Sequence, residues 1–162
     1  MKKSKTMYLV TGAIVAALYT VLTLFINAFG LASGAIQVRV SEALCILPVF
    51  TPAAVPGLFL GCMISNCLTT ASVFDIVFGS LATLIGAIGT RMLRKKKFVY
   101  TLPPVVSNMI IIPIVLKLGL HLEDGFWFLV LTIGAGEVLS ICILGTILKK
   151  ALEPVAKKFL SE

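Results

Sequence analysis

The sequence predicts an all-α, polytopic membrane protein, with six transmembrane helices in one bundle and residues 1–162 forming a single integral membrane domain. Three observations carry that reading. Hydrophobic residues make up 59% of the 162 and charged residues only 13%, against about 45–50% and about 25% in soluble domains. Mean hydropathy is +1.07. The basic residues gather at the ends of apolar runs instead of being spread along the chain. This composition excludes a soluble globular domain and a disordered chain. A bilayer-crossing helix takes about 20 residues, so six spans joined by short turns consume nearly the whole chain.

Span one, 7–29, follows Lys2, Lys3 and Lys5. Its apolar run, Tyr8 to Phe29, exceeds the roughly 7–15 residues of a signal-peptide core and reads as an anchor. Span two, 38–51, is entered through Gln37, Arg39, Ser41 and Glu42, and its apolar part covers only Val40 to Phe50. That is about 16 Å of α-helix at about 1.5 Å per residue, too short for about 30 Å of hydrocarbon. Flanking residues, tilt or shielding by neighbours must compensate. Thr51-Pro52-Ala53-Ala54 reads as a tight turn, since proline breaks helices. Span three, 54–70, carries Gly57, Gly61 and Ser65 in a small-residue row that permits close helix approach. Span four, 74–93, opens on Asp75 and carries Gly79, Thr83, Gly86 and Thr90 on one stripe. Span five, 101–119, begins with Pro103 and Pro104, which suit a first helical turn. His121, Glu123, Asp124 and Gly125 form a polar loop before span six, 126–148.

The positive charges orient the bundle. They cluster at Lys2, Lys3, Lys5; at Arg91, Arg94, Lys95, Lys96, Lys97; and at Lys149, Lys150, Lys157, Lys158, with only Arg39 and Lys117 elsewhere. Six spans place all three clusters on the cytoplasmic side, as the positive-inside rule requires, with both termini cytoplasmic and Glu123-Asp124 outside. Five spans would put the Arg94 loop outside. The expected location is the plasma membrane. The net charge of +7 is accounted for by this pattern, so no nucleic-acid partner is expected.

Ionisable groups within a bilayer cost about 2.5–3.5 kcal/mol on the insertion scale and are functional candidates by default. Arg39, Glu42, Asp75 and Glu137 are such groups here, joined by the amides Asn66 and Asn108. All favour the outer half of the bundle or its mid-depth and converge on one candidate substrate site. Arg39 has Glu42 and Asp75 as possible structural partners. Glu137 has no cation within a turn of its own helix. A buried carboxylate of that kind must find donors or take up a proton, and a ligand presenting several N–H groups would satisfy it. Trp127, beside Phe126 and Phe128, reads either as an interfacial belt or as a face for a planar ring.

Other chemistries lack their residues. There is no GxxxxGK[ST], HExxH or GxSxG, so no catalytic residues are assigned and an enzyme is not expected. Cys62 and Cys67 are five apart without a nearby histidine, a poor metal site. Cys45, Cys62, Cys67 and Cys142 read as small apolar residues within spans. No metal or cofactor is expected.

The run from Gln37 through Arg39-Val-Ser-Glu-Ala-Leu-Cys to Ile64-Ser-Asn66 resembles the QueT family, as do Asp75-Ile-Val-Phe-Gly-Ser-Leu-Ala-Thr-Leu and Gly134-Ala-Gly-Glu137. These are substrate-binding S components of energy-coupling factor (ECF) transporters, associated with uptake of queuosine precursors. The resemblance covers nearly all of the chain, and the 37–66 block is its most specific part. It implies the six-helix S-component fold, a site facing outside, and docking on a transmembrane coupling protein that carries two ATPase subunits, where ATP is hydrolysed. It further implies that an AxxxA row on the first helix meets the coupling protein; Ala13 and Ala17 match that pattern. The implied ligand is a 7-deazaguanine base, whose N–H edge a carboxylate accepts in pairs. Glu137 is the expected acceptor, with Asn108 or Asn66 donating to the ring carbonyl. Glu42 or Asp75 would receive an aminomethyl cation, and Arg39 would orient those carboxylates. A standalone secondary carrier or channel for a small polar solute is the main rival, predicting uptake by this chain alone. A membrane enzyme would predict turnover, and a purely structural protein no ligand.

Overall fold

The computed structural model describes residues 5–30, 39–69, 72–119 and 125–159. Lys2, Lys3, Gln37, His121, Glu123 and Asp124 lie outside them. Among the described residues all regular structure is helical, in six successive elements. Helix α1 is Lys5–Ala28, α2 is Val40–Val49 and α3 is Ala54–Thr69. Helix α4 joins a π turn, Asp75–Gly79, to an α-helix, Ser80–Met92. Helix α5 is Leu102–Gly119, entered through one 3-10 turn at Val99–Thr101. Helix α6 runs on through Phe126–Glu137, a π-helical stretch Val138–Gly145, and Thr146–Phe159. Four of the six, α1, α4, α5 and α6, are long and apolar enough to cross a membrane.

The short second element is lengthened only in part by its geometry and is otherwise shielded by its neighbours. Val40–Val49 is a 3-10 helix of 10 residues, and a 3-10 rise of about 2.0 Å per residue stretches it to about 20 Å. Runs of this length are uncommon because the hydrogen bonds are poorer. Here the helix is enclosed: Ser41 through Pro48 are all buried. It packs against the π-helical stretch of α6 and against α1 and α4. Gly145 allows that contact, since a Cβ there would stand 3.3 Å from the Ala43 carbonyl oxygen. The chain then turns at Pro52 and Ala53, as the proline pattern predicts, with Ala54 N–H donating to the Thr51 carbonyl.

Small residues decide which helices touch. A Cβ on Gly57 would lie 2.6 Å from the Gly12 carbonyl oxygen, and one on Gly61 would lie 2.8 Å from that of Ala16. The glycine row of α3 therefore seats the backbone of α1 directly. Gly86 does the same for α4 against α5, where Pro104 Cα is 2.6 Å from its Cβ position, and Ser107 donates across to the Ala82 carbonyl at 3.0 Å. Tyr19, Leu44, Ile46, Leu58 and Cys62 form one apolar core around α2. Ala82, Ile112, Leu116, Leu129 and Ile133 form a second between α4, α5 and α6. The opposite faces carry exposed Leu, Ile, Val and Phe, including Leu9, Ile14, Val21 and Phe25 on α1, the surface a bilayer accepts.

Candidate functional site

The candidate site grows from the 3-10 geometry of α2. In that helix residues three apart eclipse one another, so Glu42 and Cys45 share one edge, and Arg39 precedes its first turn. Arg39 Nη2 stands 3.8 Å from Glu42 Oε1, and the Cys45 thiol donates to Glu42 Oε2 at 2.9 Å. From α1, Tyr19 Oη donates to Glu42 Oε1 at 2.5 Å. From α4, Thr83 Oγ1 shares its proton among the Gly79 carbonyl at 3.2 Å, Glu42 Oε1 at 3.4 Å and Cys62 Sγ at 3.4 Å. Glu42 is fully buried, and both its oxygens are occupied from within the protein. Burial of such a group is tolerable because its hydrogen bonds are made and a cation is at hand.

Asn66 is likewise committed. Its Nδ2 donates to the Asp75 carbonyl at 3.0 Å and approaches Cys62 Sγ at 3.6 Å. A Cβ on Gly79 would meet that nitrogen at 2.9 Å, so the π turn of α4 needs glycine to admit the amide. Asn66 thereby ties α3 to the start of α4. The Asp75 side chain is half-buried. It makes no cap for its own helix, lies 3.5 Å from the Gly79 Cβ position and feels the charge of Arg39.

The second half of the candidate set is left unpaired. Glu137 closes the α-helical part of α6, Asn108 faces it from α5, and both are almost wholly buried. The amide of Asn108 lies beside the Glu137 carboxylate. Yet neither Oε1 nor Oε2 of Glu137, nor Oδ1 nor Nδ2 of Asn108, completes a hydrogen bond. Arg39 and Glu42 act on Glu137 electrostatically, so α2, α5 and α6 bring two carboxylates and one guanidinium into a single polar cluster. In an apolar bundle, four unpaired polar atoms on facing side chains are costly unless something fills the space between them.

Trp127 is not brought to this cluster. It is 75% exposed, stacks edge-on with Phe126 at 5.6 Å and lines an apolar groove of the outer surface with Val106, Met109, Ile110 and Val130. Ala13 and Ala17 lie exposed on α1, while Gly12 and Ala16 turn inward. The sequence reading missed Tyr19, Cys45 and Thr83 as partners of Glu42. Their hydroxyl and thiol groups sit in apolar runs, and only the fold shows that they converge. Among the described residues no group of three metal-ligating side chains occurs.

A bundle that is all-helical among the described residues, with apolar outer faces around a buried polar cluster, defines a multi-pass membrane protein. The chain belongs to the QueT transporter family, whose sequence model matches residues 9–154. It is similar to the queuosine precursor transporter QueT of Lactococcus lactis subsp. cremoris (strain MG1363), 46% identical over 85 residues, which is 52% of this chain and 50% of that one. The matched stretch thus spans half the length of that curated relative. No solved structure matches.

Proposed function

We propose that this protein is the substrate-binding S component of an ATP-driven ECF importer, and that it takes up a queuosine precursor of the 7-deazaguanine type. The observation that carries this reading is the facing pair Glu137 and Asn108, buried, with every side-chain polar atom unpaired. An ionised carboxylate only accepts hydrogen bonds, whereas an amide both donates and accepts. Opposed to one another, they match a flat base that presents two N–H donors beside a carbonyl. Glu137 takes the N–H edge in a charge-assisted, paired manner; Asn108 takes the carbonyl. Arg39 and Glu42 border this pair as an already satisfied ion pair, orienting the site, and Asp75 stands at its rim. The relative's printed substrate class supports the same ligand.

The exposed Ala13 and Ala17 support docking on a coupling protein through α1. Small side chains on an outward face admit close helix approach in lipid. ATP hydrolysis belongs in this reading to two partner subunits, and the chain itself catalyses nothing. Both termini lie in the cytoplasm of the plasma-membrane protein, and the site opens outward. Native mass spectrometry of the purified chain tests the assignment. A retained or added 7-deazaguanine base bound one to one is expected; a chain that binds no such base at micromolar concentration contradicts it. Uptake that needs the ATPase partners is expected, whereas uptake by this chain alone would identify a secondary carrier.

A further inference from the structure

Several hydroxyl side chains in these helices follow one habit. Thr20 donates to the carbonyl of Ala16, Thr23 to Tyr19, Thr69 to Ser65, Ser80 to Ile76 and Thr132 to Phe128. Each reaches back four residues, the ordinary way for a serine or threonine to satisfy itself inside a helix. Ser140 departs from it. It is wholly buried, and its Oγ has no partner. It sits in the π-helical stretch Val138–Gly145, where the wider turn re-spaces the carbonyls behind each side chain, and such turns gather at functional sites. That stretch packs against α2, the helix that carries Glu42 and Cys45 and that Arg39 precedes. Ser140 follows Glu137 by three residues, within one turn along α6, and both side chains are buried and unpaired. Thr146, the other unpaired hydroxyl of α6, is only half-buried.

We propose that Ser140 is a further ligand-binding residue, whose hydroxyl donates to an acceptor atom of the base held by Glu137. This rests on the functional reading given above. Glu137, when ionised, offers acceptors only; a hydroxyl brings one donor and two lone pairs. A guanine-type ring carries a carbonyl oxygen and ring nitrogens beside its N–H groups. A site that pairs an acceptor-only carboxylate with the Asn108 amide and the Ser140 hydroxyl recognises donors and acceptors on one planar edge. It rejects rings that lack either.

The test measures two quantities on the full chain in detergent: the Kd for a 7-deazaguanine base and the melting temperature without ligand. Ser140→Ala deletes a hydroxyl that has no partner within the protein, so the ligand-free melting temperature stays level or rises. Ligand affinity falls about fivefold, the worth of one neutral buried hydrogen bond. Thr132→Ala, at a half-buried hydroxyl of the same helix that bonds back to Phe128, leaves affinity unchanged. Wild-type affinity in Ser140→Ala, with binding abolished by Glu137→Gln, overturns the role of Ser140 and leaves the functional reading standing. A lowered ligand-free melting temperature at unchanged affinity, or failure to fold, makes the hydroxyl structural and also overturns it. A wild-type chain that binds no such base removes the functional reading and this residue's role together.

Discussion

Tyr19 of α1 and Glu42 of α2 are joined by a hydrogen bond of 2.5 Å between two wholly buried side chains. The bond ties the outermost helix of the bundle to its most enclosed one. Gly61 stands directly beneath it, because a Cβ there would meet Tyr19 Cβ at 2.8 Å. The geometry of the polar cluster therefore depends on how closely α1 lies against α3.

Tyr19→Phe keeps the ring and removes the donor. Glu42 Oε1 then retains only Thr83 at 3.4 Å and Arg39 at 3.8 Å. A buried acceptor stripped of its best donor costs about 1–3 kcal/mol, so the melting temperature in detergent falls. An unchanged melting temperature would show that the bond contributes nothing to the fold.

Gly61→Leu forces α1 away from α3, since even a Cβ would stand 2.8 Å from the Ala16 carbonyl oxygen. Overpacking of this kind costs about 1–3 kcal/mol or more. Both folded yield and ligand binding decrease, as read by monodispersity in detergent and by Kd. Full yield with wild-type Kd would mean that the close approach is dispensable.

How much of this was legible beforehand varies with the residue. The apolar runs and prolines lie within a few residues of most helix ends, but α6 continues past 148 to Phe159 with Pro154 inside it, and the Gly57–Gly61 row marked a close helix approach without naming α1 as its partner. Arg39 was visible with two possible carboxylate partners, Glu42 and Asp75, and the structure sets it 3.8 Å from Glu42. The 3-10 form of α2 was not visible. It is set by enclosure among neighbours, and a short apolar run with Pro48 is equally compatible with a kinked α-helix. Within the candidate site, Glu137 and Asn108 stood out as polar residues in apolar runs. Asn66 stood out for the same reason, yet the structure spends its Nδ2 on the Asp75 carbonyl. Ser140 carried no signal, because serines within spans usually satisfy themselves on their own helix.

Orientation in the membrane is checked by cysteine labelling in intact cells. Cys67 is exposed on α3 and is first replaced by serine. Asp124→Cys is then expected to react with an impermeant thiol reagent, and Lys96→Cys to react only after the membrane is opened. Equal reaction of both in intact cells would overturn the orientation.

Ala13→Trp combined with Ala17→Trp enlarges the outward face of α1. Both alanines are exposed, so folding and base binding by the isolated chain are unchanged, while co-purification with the coupling protein and ATP-dependent uptake are lost. Lost base binding with assembly intact would contradict the docking role of this face.

Glu137 carries the central claim, and Glu137→Gln tests it most directly by isothermal titration of a 7-deazaguanine base into the purified chain. The substitution replaces one acceptor oxygen by a donor that faces the ligand's own N–H, leaving a mismatched pair in a buried site. Such a mismatch costs about 1–3 kcal/mol and more where a charge is lost, so Kd is expected to rise at least about tenfold in a variant that remains folded. A folded Gln variant with wild-type Kd would contradict the account.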